Sequence, residues 1–179
     1  HLSNKRFWCA ASTHDGEEAI CLKVHKNLKI KYPGLLTIII PRHINRCREI
    51  QKLCILSNLQ SQILNNKDSI KPTSEILIIN SFGQLEKYFR ISKSIFMGKS
   101  LLANLKLVGG QNPIEAAVHG CKIYHGPFVY NFKEIYQLLK KYKISQKINN
   151  DTQLTSKLMT DLKLPRRKKG KSTKKIQKL

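Results

Sequence analysis

The chain has 179 residues, enough for one domain with a well-filled core and a short appendage. Its 33 Lys and Arg against 11 Asp and Glu leave a net charge of +22, which favours polyanions (nucleic acid, anionic lipid, phosphorylated ligands) without choosing among them. No apolar run approaches the ~20 residues of a membrane span, and no signal-peptide pattern precedes the first strand. Opening at His1 without an initiator Met, the chain reads as a piece of a longer protein. Cys9, Cys21, Cys47, Cys54 and Cys121 are odd in number, widely spaced and mostly set in apolar runs, so they are expected to be reduced, buried thiols. None forms a C-x-x-C pair, which argues against a structural zinc site.

In chain order, Phe7–Ala11 is a short buried strand followed by a turn at Ser12-Thr13-His14-Asp15-Gly16. From Glu17 the spacing of Ile20, Val24 and Leu28 predicts a helix face, stopped by Tyr32-Pro33-Gly34. Leu35–Ile40 is a near-continuous β-branched run, as a strand covered on both faces requires. A basic helix is expected near Ile44–Leu59, a short strand at Ile63-Leu64, and a loop over Asn65–Thr73. Next come a strand at Glu75–Ile79, a helix at Gly83–Ile91 and a strand at Ser94–Met97. Beyond a glycine loop follow a helix at Pro113–His119, a strand at Lys122–His125 and a helix at Phe132–Tyr142. This alternation implies an α/β fold, a parallel sheet with helices on both faces. Ligands of such sheets bind beyond the carboxyl ends of the strands. The loops 12–16, 41–43, 80–84, 98–112 and 126–131 each follow a strand and are expected along one edge. The division read from this is 1–145 for the sheet domain, 146–164 for a C-terminal helix capped by Asp151 and carrying Leu154, Leu158 and Leu162, and 165–179 for a tail. In the tail 8 of 15 residues are Lys or Arg and none is acidic, a composition that cannot fold alone.

The densest chemical signal is Gly109-Gly110-Gln111-Asn112-Pro113-Ile114-Glu115. Its glycines let backbone approach a ligand, Pro113 suits a helix start, and the free amides there could meet an anion, with Glu115 placed to accept from ribose hydroxyls. Ser12-Thr13-His14 has two readings: a capping box with Glu17, or amides and an imidazole set against a phosphate. Arg42 and His43, just past a buried strand, could meet phosphate or carboxylate, or simply enter a helix in solvent. No G-x-S-x-G elbow surrounds Ser12, and His14 with Glu17-Glu18 lacks H-E-x-x-H spacing, so neither hydrolase nor metal chemistry is expected.

These blocks (Ala11-Ser12-Thr13-His14-Asp15-Gly16-Glu17-Glu18, Pro41-Arg42-His43, Gly83-Gln84-Leu85, the 109–116 run, Gly126-Pro127 and Asn131-Phe132) resemble the C-terminal half of the 3-deoxy-D-manno-octulosonic acid (Kdo) transferases from about Phe7 to Leu139. The resemblance implies one Rossmann-like half of a GT-B glycosyltransferase, the half that holds the donor CMP-Kdo, with no cofactor and no metal. It implies transfer to the lipid A precursor of lipopolysaccharide at the cytoplasmic face of the bacterial inner membrane. The catalytic base is then expected in a missing N-terminal domain. Donor-binding residues by this resemblance are Ser12, Thr13, His14, Arg42, His43, Gly83, Lys99, Ser100, Gly110, Asn112, Pro113, Ile114, Glu115 and Asn131. Three departures stand out: Asn80-Ser81-Phe82-Gly83-Gln84 lacks the family's usual carboxylates, Lys99 replaces a glycine, and Gln111 stands where many members have His.

Two other readings compete: a basic nucleic-acid-binding module, and a catalytically inactive relative. The tail could adhere to an anionic bilayer at about 1 kcal/mol per cation or bind RNA through counterion release. No aromatic platform lies among its lysines, which favours the inner-membrane surface and makes nucleic acid an unlikely partner.

Overall fold

A computed structural model describes residue 2 and residues 5–163; the expected basic tail at 165–179 lies outside the described residues. Seven strands form a parallel sheet: β1 (Phe7–Thr13), β2 (Leu36–Pro41), β3 (Ser61–Leu64), β4 (Ile76–Ile79), β5 (Ser94–Met97), β6 (Lys122–His125) and β7 (Ser145–Lys147). Their order is β3-β4-β2-β1-β5-β6-β7. Six helices surround them: α1 (Glu17–Lys31), α2 (Cys47–Leu56), α3 (Leu85–Ile91), α4 (Ile114–Val118), α5 (Lys133–Lys141) and α6 (Asp151–Asp161). None is long and apolar enough to cross a membrane among the described residues.

Alternation along each strand divides the core in two. Trp8, Ala10, Ile39, Ile78, Phe96 and Tyr124 pack with α1, α2 and α6. Cys9, Ala11, Ile38, Leu77, Ile95, Met97 and Ile123 pack with α3, α4 and α5. Both faces of the central strands are therefore buried, which is why they read as unbroken apolar runs instead of alternating ones. All five cysteines are buried as free thiols.

The structure shifts several element bounds. The inward stripe of α1 is Cys21, Leu22, Val24, His25 and Leu28, with Ile20 only half-buried. Glu17 and Glu18, both fully buried, take the inward places of its first turn. The expected 44–59 helix begins as a 3-10 turn at Ile44–Arg46 and ends at Leu56, where Asn58 turns left-handed (φ 53°). The expected start at Gly83 moves to Leu85 because Gly83 sits at φ 68°. Asn150, not Asp151, caps α6: its Oδ1 accepts from Gln153 N at 2.9 Å, while Asp151 pairs with Lys23 at 2.9 Å. β7 carries no apolar signal because it is a short polar edge strand, paired to β6 through backbone alone.

α6 closes the domain. Asp161 accepts from Lys122 Nζ (2.9 Å), Ser94 Oγ (2.8 Å) and Tyr124 Oη (2.5 Å), at the amino ends of β5 and β6. Arg6 Nε donates to Leu162 O at 3.2 Å and Tyr32 Oη to Met159 O at 3.1 Å. These cations and donors meet the negative end of the helix dipole.

Two predictions follow from the buried polar groups. Asp161→Ala leaves the hydroxyls of Ser94 and Tyr124 and the Lys122 ammonium unmatched, and is expected to cost about 3 kcal/mol in chemical denaturation. His25, bonded through Nδ1 to Thr37 Oγ1 at 2.8 Å, has its pKa lowered to about 4, first by burial and then by Lys29, with Glu75 opposing. His125, stacked on Tyr136 with its Nδ1 2.7 Å from Gly126 O, is also lowered to about 4, first by burial. Both favour the neutral imidazole in the fold, so the unfolded chain binds more protons between pH 6.5 and 4. Stability is therefore full above pH 6.5 and falls on acidification towards pH 4, by roughly 3 kcal/mol per histidine. Denaturation midpoints against pH check this; His25→Gln is expected to flatten the slope.

Candidate functional site

From β1 the chain builds outward through β2 and β4 on one side, then returns to the other side of β1 at β5. Such a reversal, here between the ends of β1 and β5, is the place where sheets of this kind bind ligands. The motif-bearing loops after β1, β2, β4, β5 and β6 all lie at this carboxyl edge because all seven strands are parallel.

At the end of β1 the register shifts between Ala11 and Thr13, and Ser12 adopts φ 55°. That bulge brings β1 and β5 into backbone contact: Gly98 N donates to Ala11 O at 2.8 Å, and a Cβ on Gly98 would meet Ser12 O at 2.6 Å. Ser12 and Thr13 are thus buried parts of the bulge. Neither supplies a side-chain cap to α1, whose cap position is the left-handed Gly16. Only the carboxylate half of the expected capping box exists, with Glu17 Oε2 accepting from His14 N at 3.0 Å.

That carboxylate does more. Its Oε2 also accepts from Lys99 N (2.7 Å), and its Oε1 accepts from Ser100 N (3.0 Å) and Leu101 N (3.0 Å). Four amides from two loops converge on one fully buried side chain. Beside it, buried Glu18 bonds Arg46 at 2.7 Å; burial raises its carboxyl pKa, and Arg46 opposes the rise. Arg46 also reaches Asp15 at 2.9 Å and Glu49 at 3.4 Å, joining the first turn of α1 to the loop after β2. Sequence reasoning missed Arg46; the acids at 15, 17 and 18 ask for a cation, but nothing local assigns it to a residue 28 positions on.

On the other side of β5, Ser100 Oγ donates to Met97 O at 2.6 Å and accepts from Gly126 N at 2.9 Å. A Cβ on Gly126 would lie 2.0 Å from Ser100 O, so this position has room only for glycine. Asn131 pairs with Gly110 in both directions: Gly110 N donates to Oδ1 at 2.8 Å, and Nδ2 donates to Gly110 O at 3.0 Å. Tyr130 Oη donates to Leu107 O at 2.8 Å, and Tyr136 Oη to Gln111 O at 2.9 Å. Ser100, Gly110 and Asn131 therefore spend their polar atoms on fixing the loops. The helix expected from Pro113 is the five-residue α4, with Pro113 buried at its cap position and the Ile114 amide already bonded to Asn112 Oδ1 at 3.0 Å. The set of free amides is smaller than the sequence suggests.

What remains open to a ligand is a set of side chains. Arg42 and His43 are exposed after β2, tied to β1 by the Arg42 N to Thr13 O bond of 3.0 Å. The rings of His14 and His43 meet edge to face at 5.5 Å. The His14 pKa is lowered, chiefly by burial and also by neighbouring Lys99 and His43, with the Ser12 backbone and Glu17 opposing. Lys99 is half-buried beside them. Asn112, Ile114 and Glu115 are exposed on the β5 side, and Glu115 makes no ion pair among the described residues. Gly83 stands apart, on the loop after β4 beyond β2. Among the described residues no group of three or more His, Cys, Asp or Glu gathers in a form that could hold a metal. The loops after β5 and β6 also expose Leu107, Val108, Ile114 and Tyr130, and the loop after β4 exposes Phe82.

No family model matches the chain. It is 31% identical over 147 residues, 82% of its length, to a 3-deoxy-D-manno-octulosonic acid transferase of Haemophilus influenzae, of which the match covers 34%. It is 26% identical over 152 residues to the transferase of that name from Aquifex aeolicus, covering 85% of this chain and 40% of that protein. The chain thus spans about a third of the length of the curated relatives it matches. Its fold superposes, with a TM-score of 0.82 and 24% identity, on the C-terminal CMP-Kdo binding domain of WaaA from Acinetobacter baumannii, covering 98% of this chain and 86% of that one. By descent over most of its length, and by the architecture of its sheet, this chain belongs to the 3-deoxy-D-manno-octulosonic acid transferases and has the fold of a GT-B C-terminal domain.

Proposed function

We propose that this chain is the donor-binding half of an inverting glycosyltransferase that moves Kdo from CMP-Kdo to the lipid A precursor in lipopolysaccharide biosynthesis. The observation that carries the reading is the relationship to named transferases over 82% of the chain, joined to a sheet switch point whose neighbouring loops carry His14, Arg42, His43 and Lys99. In the reaction the acceptor hydroxyl oxygen bonds to the anomeric carbon of Kdo. The bond from that carbon to the CMP phosphate oxygen breaks, and its electron pair stays on the phosphate. This chain's part is to hold the donor and stabilise the charge growing on the departing phosphate, a large term in such catalysis. Arg42, His14 and Lys99 meet the anionic groups, Glu115 accepts from the ribose hydroxyls, and the Asn112–Glu115 turn with His43 lines the site, while Ser12, Thr13, Ser100, Gly110 and Asn131 hold its loops in place and Gly83, set apart beyond β2, takes no direct part. The acceptor's proton passes to a base outside this chain, and no cofactor takes part.

The exposed apolar side chains Leu107, Val108, Ile114 and Tyr130 on the loops after β5 and β6 support a second domain facing this edge across a cleft. The +22 charge supports work at an anionic surface, which we assign to the cytoplasmic face of the inner membrane. A nucleic-acid-binding module is the second reading that this charge allows.

Calorimetric titration with CMP, with UMP and a short RNA as controls at two salt concentrations, separates these readings. Saturable CMP binding that exceeds UMP and persists at the higher salt is expected. RNA binding that collapses with salt, without any cytidine preference, would reject the donor site. Glu115→Ala is expected to weaken CMP about tenfold, whereas Glu86→Ala, whose carboxylate is engaged with Arg90 and faces His119 at 3.5 Å, should leave affinity unchanged. Equal effects would count against Glu115 as the ribose residue.

A further inference from the structure

The amides of Lys99, Ser100 and Leu101 point in succession at one place, a concavity of the kind that binds phosphate in other proteins. It lies at the switch point, beside the amino end of the fifteen-residue α1, where an anion is favoured. Here the chain fills it with its own carboxylate. Glu17 is fully buried and makes no ion pair among the described residues, so its charge is met by amides. One of those bonds holds Lys99, whose φ of 58° is a conformation that residues other than glycine rarely adopt. The Lys99 charge is felt at His14, and Lys99 too makes no ion pair among the described residues. The neighbouring acids are otherwise engaged, Asp15 and Glu18 with Arg46.

We propose that Glu17 is the positioning residue of the donor site: as an internal anion it occupies the nest after β5, holds Lys99 in its left-handed conformation, and so assigns recognition of the donor's phosphate or carboxylate to the Lys99 ammonium instead of to that nest. The inference rests on the donor-binding reading and adds to it a role for Glu17 and a specific contact for Lys99.

An empty nest should accept a small carboxylate, which gives a test that a merely structural role does not pass. Thermal midpoints and CMP titrations are measured on the full chain and on Glu17→Ala, Lys99→Gly, the double variant and Arg46→Ala, in formate and in chloride at equal ionic strength. Glu17→Ala is expected to melt lower and to bind CMP about tenfold more weakly, and formate should restore both. Formate should not raise the midpoint of the wild type or of Arg46→Ala, which is destabilised without emptying the nest. Lys99→Gly keeps a backbone suited to positive φ, should lose CMP affinity about tenfold, and should not respond to formate. The double variant should lose no more than Lys99→Gly alone. If Glu17→Ala fails to fold, Glu17→Gln serves: it keeps the shape but offers one acceptor oxygen, and should lose CMP affinity while folded. Wild-type CMP binding with undiminished affinity in the Glu17 variants, or without formate rescue of Glu17→Ala, overturns this inference and leaves the donor reading intact. Formate rescue of the midpoint in a chain whose wild type binds neither CMP nor inorganic pyrophosphate overturns the donor reading, and the positioning role with it.

Discussion

One buried carboxylate organises the carboxyl edge of this sheet. Without Glu17 the loops after β1 and β5 would each leave amides without their carboxylate partner, and unpaired buried amides are among the costlier features a fold can carry. With it, the bulge at Ser12, the bare backbone of Gly98 and the left-handed Lys99 become parts of a single arrangement. Its four hydrogen bonds hold the amides of His14, Lys99, Ser100 and Leu101, and Gly98, where a Cβ would lie 2.9 Å from Glu17 Oε2, leaves room for the carboxylate. The adjacent Glu18–Arg46 pair then fixes the loop after β2 to that arrangement, so three strand ends share one polar core.

This arrangement separates frame from working surface. Ser100, Gly126, Gly110 and Asn131 occur in motifs that suggest ligand binding, yet their polar atoms are consumed by bonds between the loops after β5 and β6. The groups left facing solvent are long or titratable: Arg42, His43, Lys99 and Glu115, with half-buried His14 between them. The edge thus combines loops fixed to one another with a few side chains whose polar ends are left uncommitted.

Much of the fold was legible because the strands are doubly covered. Leu35–Ile40 and Ser94–Met97 announce themselves as apolar runs, and the intervening helices by their 3.6-residue spacing. β7 was illegible because it is three polar residues held by backbone pairing to β6 and by the Ser145 hydroxyl bond to Tyr136 O, neither of which an apolar pattern records. Of the expected α1 face, Val24 and Leu28 point inward and Ile20 only partly so, its turn being led by buried Glu17 and Glu18, which no periodicity of apolar residues can register. The motif residues were found, but the division of labour among them was not. Whether Asn131 faces a sugar or a backbone amide depends on a partner 21 residues away, and whether Arg46 is solvated depends on one 28 away. Spacing within a motif carries no information on such pairings.

The clasp formed by α6 has a consequence for how the domain is made. Asp161 fastens β5 and β6, Leu162 takes the side chain of Arg6 across 156 residues of sequence, and Met159 takes that of Tyr32. Within residues 5–163 β1 is translated before α6, so the surroundings of β1 stay incomplete until almost all of that stretch has been synthesised. Native contacts of such long range are slow to form. During translation the apolar floor beneath α6, Trp8, Phe96 and Tyr124 among it, must wait uncovered or be shielded by other factors. The final helix thus sets the moment at which this domain becomes safe from aggregation.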